Sequence, residues 1–120
     1  MQKVVITGHD LTVDQIIAVC REGAEVVLSD ESREKILASR QVVNELVDER
    51  KVVYGITTGF GKFSDVVISQ DECKLLQKNL IITHAVGAGD PFKKDIARGI
   101  LLLRVNSLSN GFSGICLETV

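Results

Sequence analysis

A tyrosine in a glycine-rich segment is the part of the sequence best suited to chemistry. Tyr54 is the only tyrosine among the 120 residues, and residues 54–61 read Tyr-Gly-Ile-Thr-Thr-Gly-Phe-Gly. Glycine permits sharp bends, so such a segment can carry a phenol to a reacting atom and withdraw it. Because a phenol has a pKa of about 10, it needs nearby donors, a dipole or a cation to act as a base near neutral pH. The alternative is a surface turn with an aromatic residue packed beneath it.

Other common catalytic motifs are missing from the sequence. Residues 59–62 invite comparison with a phosphate-binding loop, but they lack the four-residue gap between glycines and a hydroxyl residue after the lysine. There is no Gly-x-Ser-x-Gly, no His-Glu-x-x-His and only two histidines, His9 and His84. Hydrolytic and zinc mechanisms therefore lack parts, and proton abstraction by Tyr54 remains.

Composition and charge argue against several classes of partner. Fourteen basic and sixteen acidic residues give a net charge of −2, with no run of like charge, which disfavours nucleic acid and anionic membranes. Cys20, Cys73 and Cys116 are too far apart in the sequence for a zinc site, so we expect reduced thiols and no metal. With short apolar runs, no secretory signal and 45% hydrophobic residues, the sequence predicts one cytoplasmic domain.

Capping signatures predict a mainly α fold with a short β element near the start, at residues 4–6. Thr12 and Gln15 form a capping box before the first helix, and Ser69 and Glu72 form another before the third. Ser29 can cap the second helix. The four helices are expected at about 12–22, 29–49, 69–84 and 91–109.

Apolar periodicity predicts which face of each helix is buried. His84 is expected to finish the buried face of the third helix, where a lone histidine is more often a core residue than a catalytic one. Gly99, in the middle of the apolar fourth helix, suggests a close approach by another backbone. The expected buried faces are Val13, Ile16, Ile17 and Cys20; Ile36, Val43 and Val47 with Arg40; Cys73, Leu76, Leu80 and His84; and Phe92, Ile96, Ile100, Leu103 and Ser107.

Several sequence blocks together carry a family resemblance. The tyrosine segment is followed by Leu-Gln-Lys-Asn-Leu at 76–80, Thr-His-Ala at 83–85, Leu-Leu-Arg-Val-Asn at 102–106 and Gly-Phe-Ser-Gly at 111–114. In this order, over nearly the whole chain, the blocks resemble the amino-terminal part of the histidine ammonia-lyases, within the aromatic amino acid lyase family.

The resemblance implies a fold, a reaction and roles for three residues. It implies a helical fold of the fumarase/aspartase type, a homotetramer with shared active sites, and loss of ammonia from L-histidine to give urocanate. Tyr54 matches the base that removes the β-proton, Gly61 a loop glycine beside the substrate, and His84 a histidine near the substrate side chain. The pair Thr83-His84 favours histidine as substrate, while a lyase or aminomutase acting on another aromatic amino acid stays open.

Two departures from the family pattern bear on activity. Many relatives have asparagine at the position of Thr57, so the loop loses an amide donor here and is expected to close differently. The family's electrophile, a methylidene-imidazolone (MIO) group, forms from Ala-Ser-Gly, and this tripeptide is absent; the nearest match, Ala38-Ser39-Arg40, falls in a predicted helix. Without an electrophile most of the barrier remains, so this chain alone is expected to be inactive.

The unfinished apolar segment 115–120 leads us to expect the amino-terminal portion of a longer lyase. The competing hypothesis is a free-standing, non-catalytic helical interaction or regulatory module derived from such a lyase. An Ala-Ser-Gly encoded beyond Val120 would favour the enzyme, and a stop codon directly after it would favour the module.

Overall fold

The computed structural model describes residues 2–59, 61–63 and 68–120, which divide into two compact units. The first unit is Met1–Gln41 with Pro91–Val120, and the second is Val42–Asp90. The expected mainly α fold is confirmed. The elements of the described residues are β1 (Lys3–Ile6), α1 (Val13–Glu22), β2 (Glu25–Leu28), α2 (Asp30–Asp48), α3 (Gln70–His84) and α4 (Lys94–Leu108), with short 3-10 helices at Gly61–Phe63 and Leu117–Thr119.

A parallel pair of strands forms the β element of the first unit. β1 pairs with β2 in the register Lys3 to Glu25 through Ile6 to Leu28, and α1 is the crossover that parallel strands require. Val4 and Ile6 of β1 are buried. The sequence predicted β1 but missed β2, because a four-residue strand carries little periodicity and forms only through pairing with a distant segment.

Helix α1 confirms its predicted ends but not its whole predicted face. The Thr12 hydroxyl accepts the Gln15 N–H, the Gln15 side chain accepts the Thr12 N–H, and Gly23 closes the helix in a left-handed conformation. Val13 and Ile17 were expected to be buried, yet Val13 is 70% exposed. The helix instead turns Val19 and its neighbours Ala18 and Cys20 inward, because Val19 packs against the strand pair and α4.

Helix α4 exposes the face that was expected to be buried. It begins at Lys94 rather than Pro91, and Leu102, only 4% exposed, joins Val4, Ile6 and Val19 in the core. The helix is apolar on most sides, so periodicity could not select the face that packs on α1. The expected face is wrong in all five of its members, which are exposed: Phe92, Ile96, Ile100, Leu103 and Ser107.

The close approach expected at Gly99 comes from a side chain rather than a backbone. A Cβ built at Gly99 would stand 3.4 Å from the Cys20 sulfur, where α1 packs against α4. Cys20 is buried and Cys116 is half-buried, and both have free thiols.

Helix α2 confirms its predicted start, end and face. The Ser29 hydroxyl accepts the Ser32 N–H at 3.1 Å, and the helix ends at Asp48, one residue before the expected end. Ile36 is buried and Arg40 is half-buried. The Arg40 guanidinium donates to the Gly114 carbonyl, and the Ser39 hydroxyl accepts the Gly114 N–H, so α2 holds the segment after α4 in place.

Helix α3, in the second unit, has its predicted ends but a different exposure at its last residue. Ser69 and Glu72 form the expected capping box, and the helix ends at His84. Leu76 and Leu80 are half-buried, whereas His84 is exposed, so the expectation that His84 finishes a buried face is wrong. The side chain of Cys73 and residue Phe60, both part of sequence predictions, lie outside what the structure describes.

Among the described residues no helix is both long enough and apolar enough to cross a membrane. In the same part of the chain, no cluster of three or more histidine, cysteine, aspartate or glutamate residues is placed to hold a metal ion.

Substitution of Gly111 is expected to destabilise the chain. Gly111 has a φ of +72°, and an added Cβ would stand 2.7 Å from the Lys35 carbonyl carbon. Gly111→Ala should lower the free energy of unfolding by about 2–5 kcal/mol, from left-handed strain and a backbone clash together. Gly87→Ala, where no described atom lies within 4 Å, is the control. Urea denaturation followed by circular dichroism measures both; equal midpoints would contradict the packing of this segment against α2.

Candidate functional site

The second unit contains all three residues for which the sequence predicted a site role. Tyr54 and Gly61 lie on the segment between α2 and α3, and His84 is the last residue of α3. All three are exposed in the unit. The structure therefore places the predicted base and the two predicted substrate contacts at the surface of one unit.

The Tyr54 side chain stands on a tight hydrogen-bonded turn. The Val53 carbonyl accepts two N–H groups from the far side of the turn, that of Ile56 at 3.1 Å and that of Thr57 at 3.0 Å. Gly55 has a φ of +73°, a left-handed conformation that glycine adopts without the strain a side chain would cause. The chain thus reverses directly after the tyrosine, and the phenol side chain is 63% exposed rather than packed beneath the turn.

The Thr57 hydroxyl closes this turn with two hydrogen bonds. It donates a hydrogen bond to the Lys51 carbonyl and accepts one from the Val53 N–H at 2.9 Å. Thr57 itself is only 5% exposed. A hydroxyl can donate and accept at once, and both capacities are used here. The residue that departs from the family pattern therefore still supplies a donor and an acceptor to the loop.

The neighbouring Thr58 makes a second, similar arrangement. Its hydroxyl accepts the Gly55 N–H at 3.3 Å and donates to the Gly59 carbonyl at 3.0 Å, and the residue is 1% exposed. The sequence predicted that Thr57 affects how the loop closes, but it predicted no role for Thr58. Two adjacent threonines after Tyr-Gly were the available signal, because threonine hydroxyls commonly bond the backbone of nearby turns.

The His84 ring is held in one tautomer by the end of its own helix. Its Nδ1 lies 2.9 Å from the Leu80 carbonyl oxygen and 3.1 Å from the Thr83 hydroxyl oxygen. A carbonyl oxygen only accepts, so the Nδ1 of a ring bonded to it carries the proton. The Thr83 hydroxyl itself donates to the Asn79 carbonyl at 2.8 Å. The neutral ring consequently presents Nε2 as a hydrogen-bond acceptor.

Gly61 opens the short 3-10 helix that follows the tyrosine turn. Its φ of +57° is left-handed, and no described atom lies within 4 Å of the position where a Cβ would stand. A side chain at this position would be strained by the backbone conformation.

No residue of this chain can form the electrophile that the resemblance implies. The sequence lacks Ala-Ser-Gly, and Ala38-Ser39-Arg40 lies inside α2, where the helical backbone cannot cyclise. The Ser39 hydroxyl is moreover bonded to the Gly114 N–H at 2.9 Å. The residues present therefore do not fit the formation of a methylidene-imidazolone, and what the described site offers is a phenol, an imidazole acceptor and a turn that holds the phenol.

Comparison with known proteins gives one consistent result. A family model described as aromatic amino acid lyase matches residues 11–120. A histidine ammonia-lyase of Caldanaerobacter subterraneus subsp. tengcongensis is 55% identical over 120 residues, which are 100% of this chain and 24% of that protein. The chain thus spans about a quarter of the length of the curated relatives that it matches.

Two solved structures resemble this fold closely. The histidine ammonia-lyase of Trypanosoma cruzi superposes with a TM-score of 0.90 at 41% identity, over 98% of this chain and 23% of that chain. An ergothioneine-degrading ergothionase of Treponema denticola gives a TM-score of 0.91 at 29% identity, over 98% of this chain and 24% of that chain. From the family match over residues 11–120 and these similarities, we conclude that the chain belongs to the aromatic amino acid lyase family.

Proposed function

We propose that this chain serves as the amino-terminal portion of an ammonia-lyase that converts L-histidine to urocanate and ammonia. The observation that carries the proposal is the exposed Tyr54 phenol on a turn fixed by its own hydrogen bonds, in the same unit as His84. The similarity to histidine ammonia-lyases over the whole chain supports the choice of L-histidine.

In this proposal Tyr54 takes a proton from the β-carbon of the substrate. The C–H electrons form the new carbon–carbon double bond, the proton goes to the phenolate oxygen of Tyr54, and the amine leaves from the α-carbon. The lone tyrosine of the chain is held at the surface of its unit, so its oxygen is accessible to a substrate. General base catalysis of this kind contributes about 10²–10⁴-fold to the rate.

His84 provides recognition of the substrate side chain. With the Nδ1 proton committed to the Leu80 carbonyl, Nε2 accepts a hydrogen bond from the N–H of the substrate imidazole. Phenylalanine has no such N–H, so the same Nε2 would face a carbon edge and lose its partner. The lost partner is worth about one hydrogen bond, roughly 0.5–1.5 kcal/mol.

The remaining chemistry belongs to parts of the enzyme beyond these residues. In the aromatic amino acid lyases a methylidene-imidazolone supplies the electrophile that makes the amine a better leaving group. We propose that the longer protein encodes its Ala-Ser-Gly precursor, and that the enzyme is a homotetramer with active sites shared between subunits. The exposed apolar face of α4, with Ile96, Ile100, Leu101 and Leu103, supports burial against further helices of that assembly.

A second candidate is elimination from another substrate of this family. The ergothionase structure resembles this fold as closely as the histidine ammonia-lyase structure does, so the fold of this portion does not select the substrate. The higher sequence identity to the histidine ammonia-lyase favours L-histidine. Ergothioneine, L-phenylalanine and L-tyrosine are therefore the alternative substrates to compare.

The substrate assignment is tested with the longer gene product. Purified full-length protein with L-histidine should develop the ultraviolet absorbance of urocanate and release ammonia, and the 120-residue chain should do neither because it lacks the electrophile. L-Phenylalanine, L-tyrosine and ergothioneine are assayed in parallel. Preferred conversion of one of these three by the full-length protein would overturn the choice of L-histidine. Turnover by the 120-residue chain would contradict the proposal that the electrophile lies outside these residues.

The role of His84 is tested by removing its ring. In the full-length protein, His84→Leu should raise the KM for L-histidine about 3- to 10-fold, which corresponds to one hydrogen bond of about 0.5–1.5 kcal/mol. His9→Leu is the matched control, because His9 is also exposed but lies in the first unit. Initial-rate kinetics measures both variants, and an unchanged KM in His84→Leu would refute the contact.

A further inference from the structure

We infer that Thr57 is a positioning residue for the proton acceptor: its hydroxyl fixes the backbone on both sides of Tyr54. The inference rests on the proposed function, since it concerns how Tyr54 is presented to the substrate. Thr57 is 5% exposed, and its own side chain points into the unit, where it bonds the backbone, while the phenol of Tyr54 is exposed. Its effect on the reaction therefore passes through the turn.

The hydroxyl joins three points of the chain that the turn must keep together. Lys51 and Val53 precede the tyrosine, and Thr57 follows it. The hydroxyl donates to the Lys51 carbonyl and accepts the Val53 N–H, while the Thr57 N–H bonds back to the Val53 carbonyl. Both backbone polar groups of Val53 are thereby satisfied by Thr57. One residue therefore closes the base of the turn that carries Tyr54.

All of these bonds are local, so the turn carries its own constraint. The partners are at most six residues apart in the sequence, and Thr58 adds a second pair of local bonds to Gly55 and Gly59. Removing the Thr57 hydroxyl would leave a part-buried N–H without its acceptor and would free the Lys51 carbonyl. The turn would then sample open conformations that move the phenol away from the substrate.

The chemical requirement is a side chain that can both donate and accept a hydrogen bond close to the backbone. Serine retains the hydroxyl, and the amide of asparagine also has one donor group and one acceptor oxygen. Valine has the shape of threonine but can do neither. The series Thr57→Ser, Thr57→Asn and Thr57→Val therefore separates the hydrogen bonds from the volume of the side chain.

A matched control exists in the first unit. The Thr7 hydroxyl also bridges a carbonyl and an N–H of one neighbouring residue, donating to the His9 carbonyl at 2.7 Å and accepting the His9 N–H at 3.4 Å. Thr7→Val removes the same kind of bridge far from Tyr54 in the sequence. An effect specific to Thr57 cannot then be ascribed to the general loss of a threonine hydroxyl.

The kinetic test uses the full-length protein with L-histidine. Thr57→Val should lower kcat about 10- to 100-fold, the range expected when a catalytic group is misplaced by a distant change, with KM changed less than about twofold. Thr57→Ser and Thr57→Asn should restore kcat to within about threefold of the original. Thr7→Val should leave both constants unchanged. Wild-type kcat in Thr57→Val, or loss of kcat in both restoring variants at an unchanged melting temperature, would overturn the inference.

A double-mutant comparison shows whether Thr57 acts through Tyr54. If it does, adding Thr57→Val to Tyr54→Phe should not lower the residual kcat further, because the phenol whose position matters is already gone. A further loss equal to that of the single variant would show an independent, merely structural effect and would contradict the inference. Thr57→Ser and Thr57→Asn still decide the question if Thr57→Val does not fold.

Hydrogen exchange tests the hydrogen bonds of the Thr57 hydroxyl to Lys51 and Val53 without an activity assay. Peptides covering residues 51–59 should exchange their amide hydrogens about tenfold faster in Thr57→Val than in the original protein, and Thr57→Ser should not differ. Unchanged exchange in Thr57→Val would show that these hydrogen bonds do not hold the turn and would refute the inference. Exchange can confirm that the Thr57 hydrogen bonds hold the turn while the full-length protein releases no urocanate. In that case the proposed function is wrong, and Thr57 does not position a base for that reaction.

Discussion

The presentation of Tyr54 depends on satisfying the backbone groups at the base of its turn. A chain that reverses directly after the tyrosine leaves the Val53 N–H and the Lys51 carbonyl without partners in a helix or sheet, and the Thr57 hydroxyl satisfies both. An unsatisfied part-buried group costs about 1–3 kcal/mol, comparable to a large fraction of the stability of a small domain. The need to satisfy these backbone groups explains why Thr57 is nearly buried although the phenol of Tyr54 is exposed.

The same use of side chains to satisfy backbone groups recurs in the first unit. Asn106 of α4 and Asn110, just after the end of that helix, bond both polar groups of Gly8: Asn106 accepts its N–H at 3.1 Å and Asn110 donates to its carbonyl at 3.0 Å. Gly8 has a φ of +93°, and an added Cβ would stand 2.7 Å from the Asn110 side chain. The loop after β1 is thereby held to the end of α4 by polar contacts beside a small apolar core.

What could be predicted from the sequence was what is encoded locally. The capping boxes at Thr12 and Ser69 were predicted and are confirmed, because each is a bond between residues three apart. The packed face of α4 was not predicted, because the helix is apolar on most sides and its contact with α1 determines which face is buried. β2 was missed for the related reason that its partner strand lies more than twenty residues earlier. At the site, residue types indicated Tyr54 and His84, but neither the exposure of His84 nor the bonds of Thr57 follows from periodicity.

The proposed function divides the reaction between a base in these residues and an electrophile elsewhere in the enzyme, and the kcat of Tyr54→Phe in the full-length protein tests this division most directly. Phenylalanine keeps the ring and the turn but has no oxygen to take the β-proton. The proposed role of Tyr54 as the base predicts a fall in kcat of about 10²–10⁴-fold with nearly unchanged KM for L-histidine. Retention of the original kcat would contradict it, because the proton acceptor would then be another group.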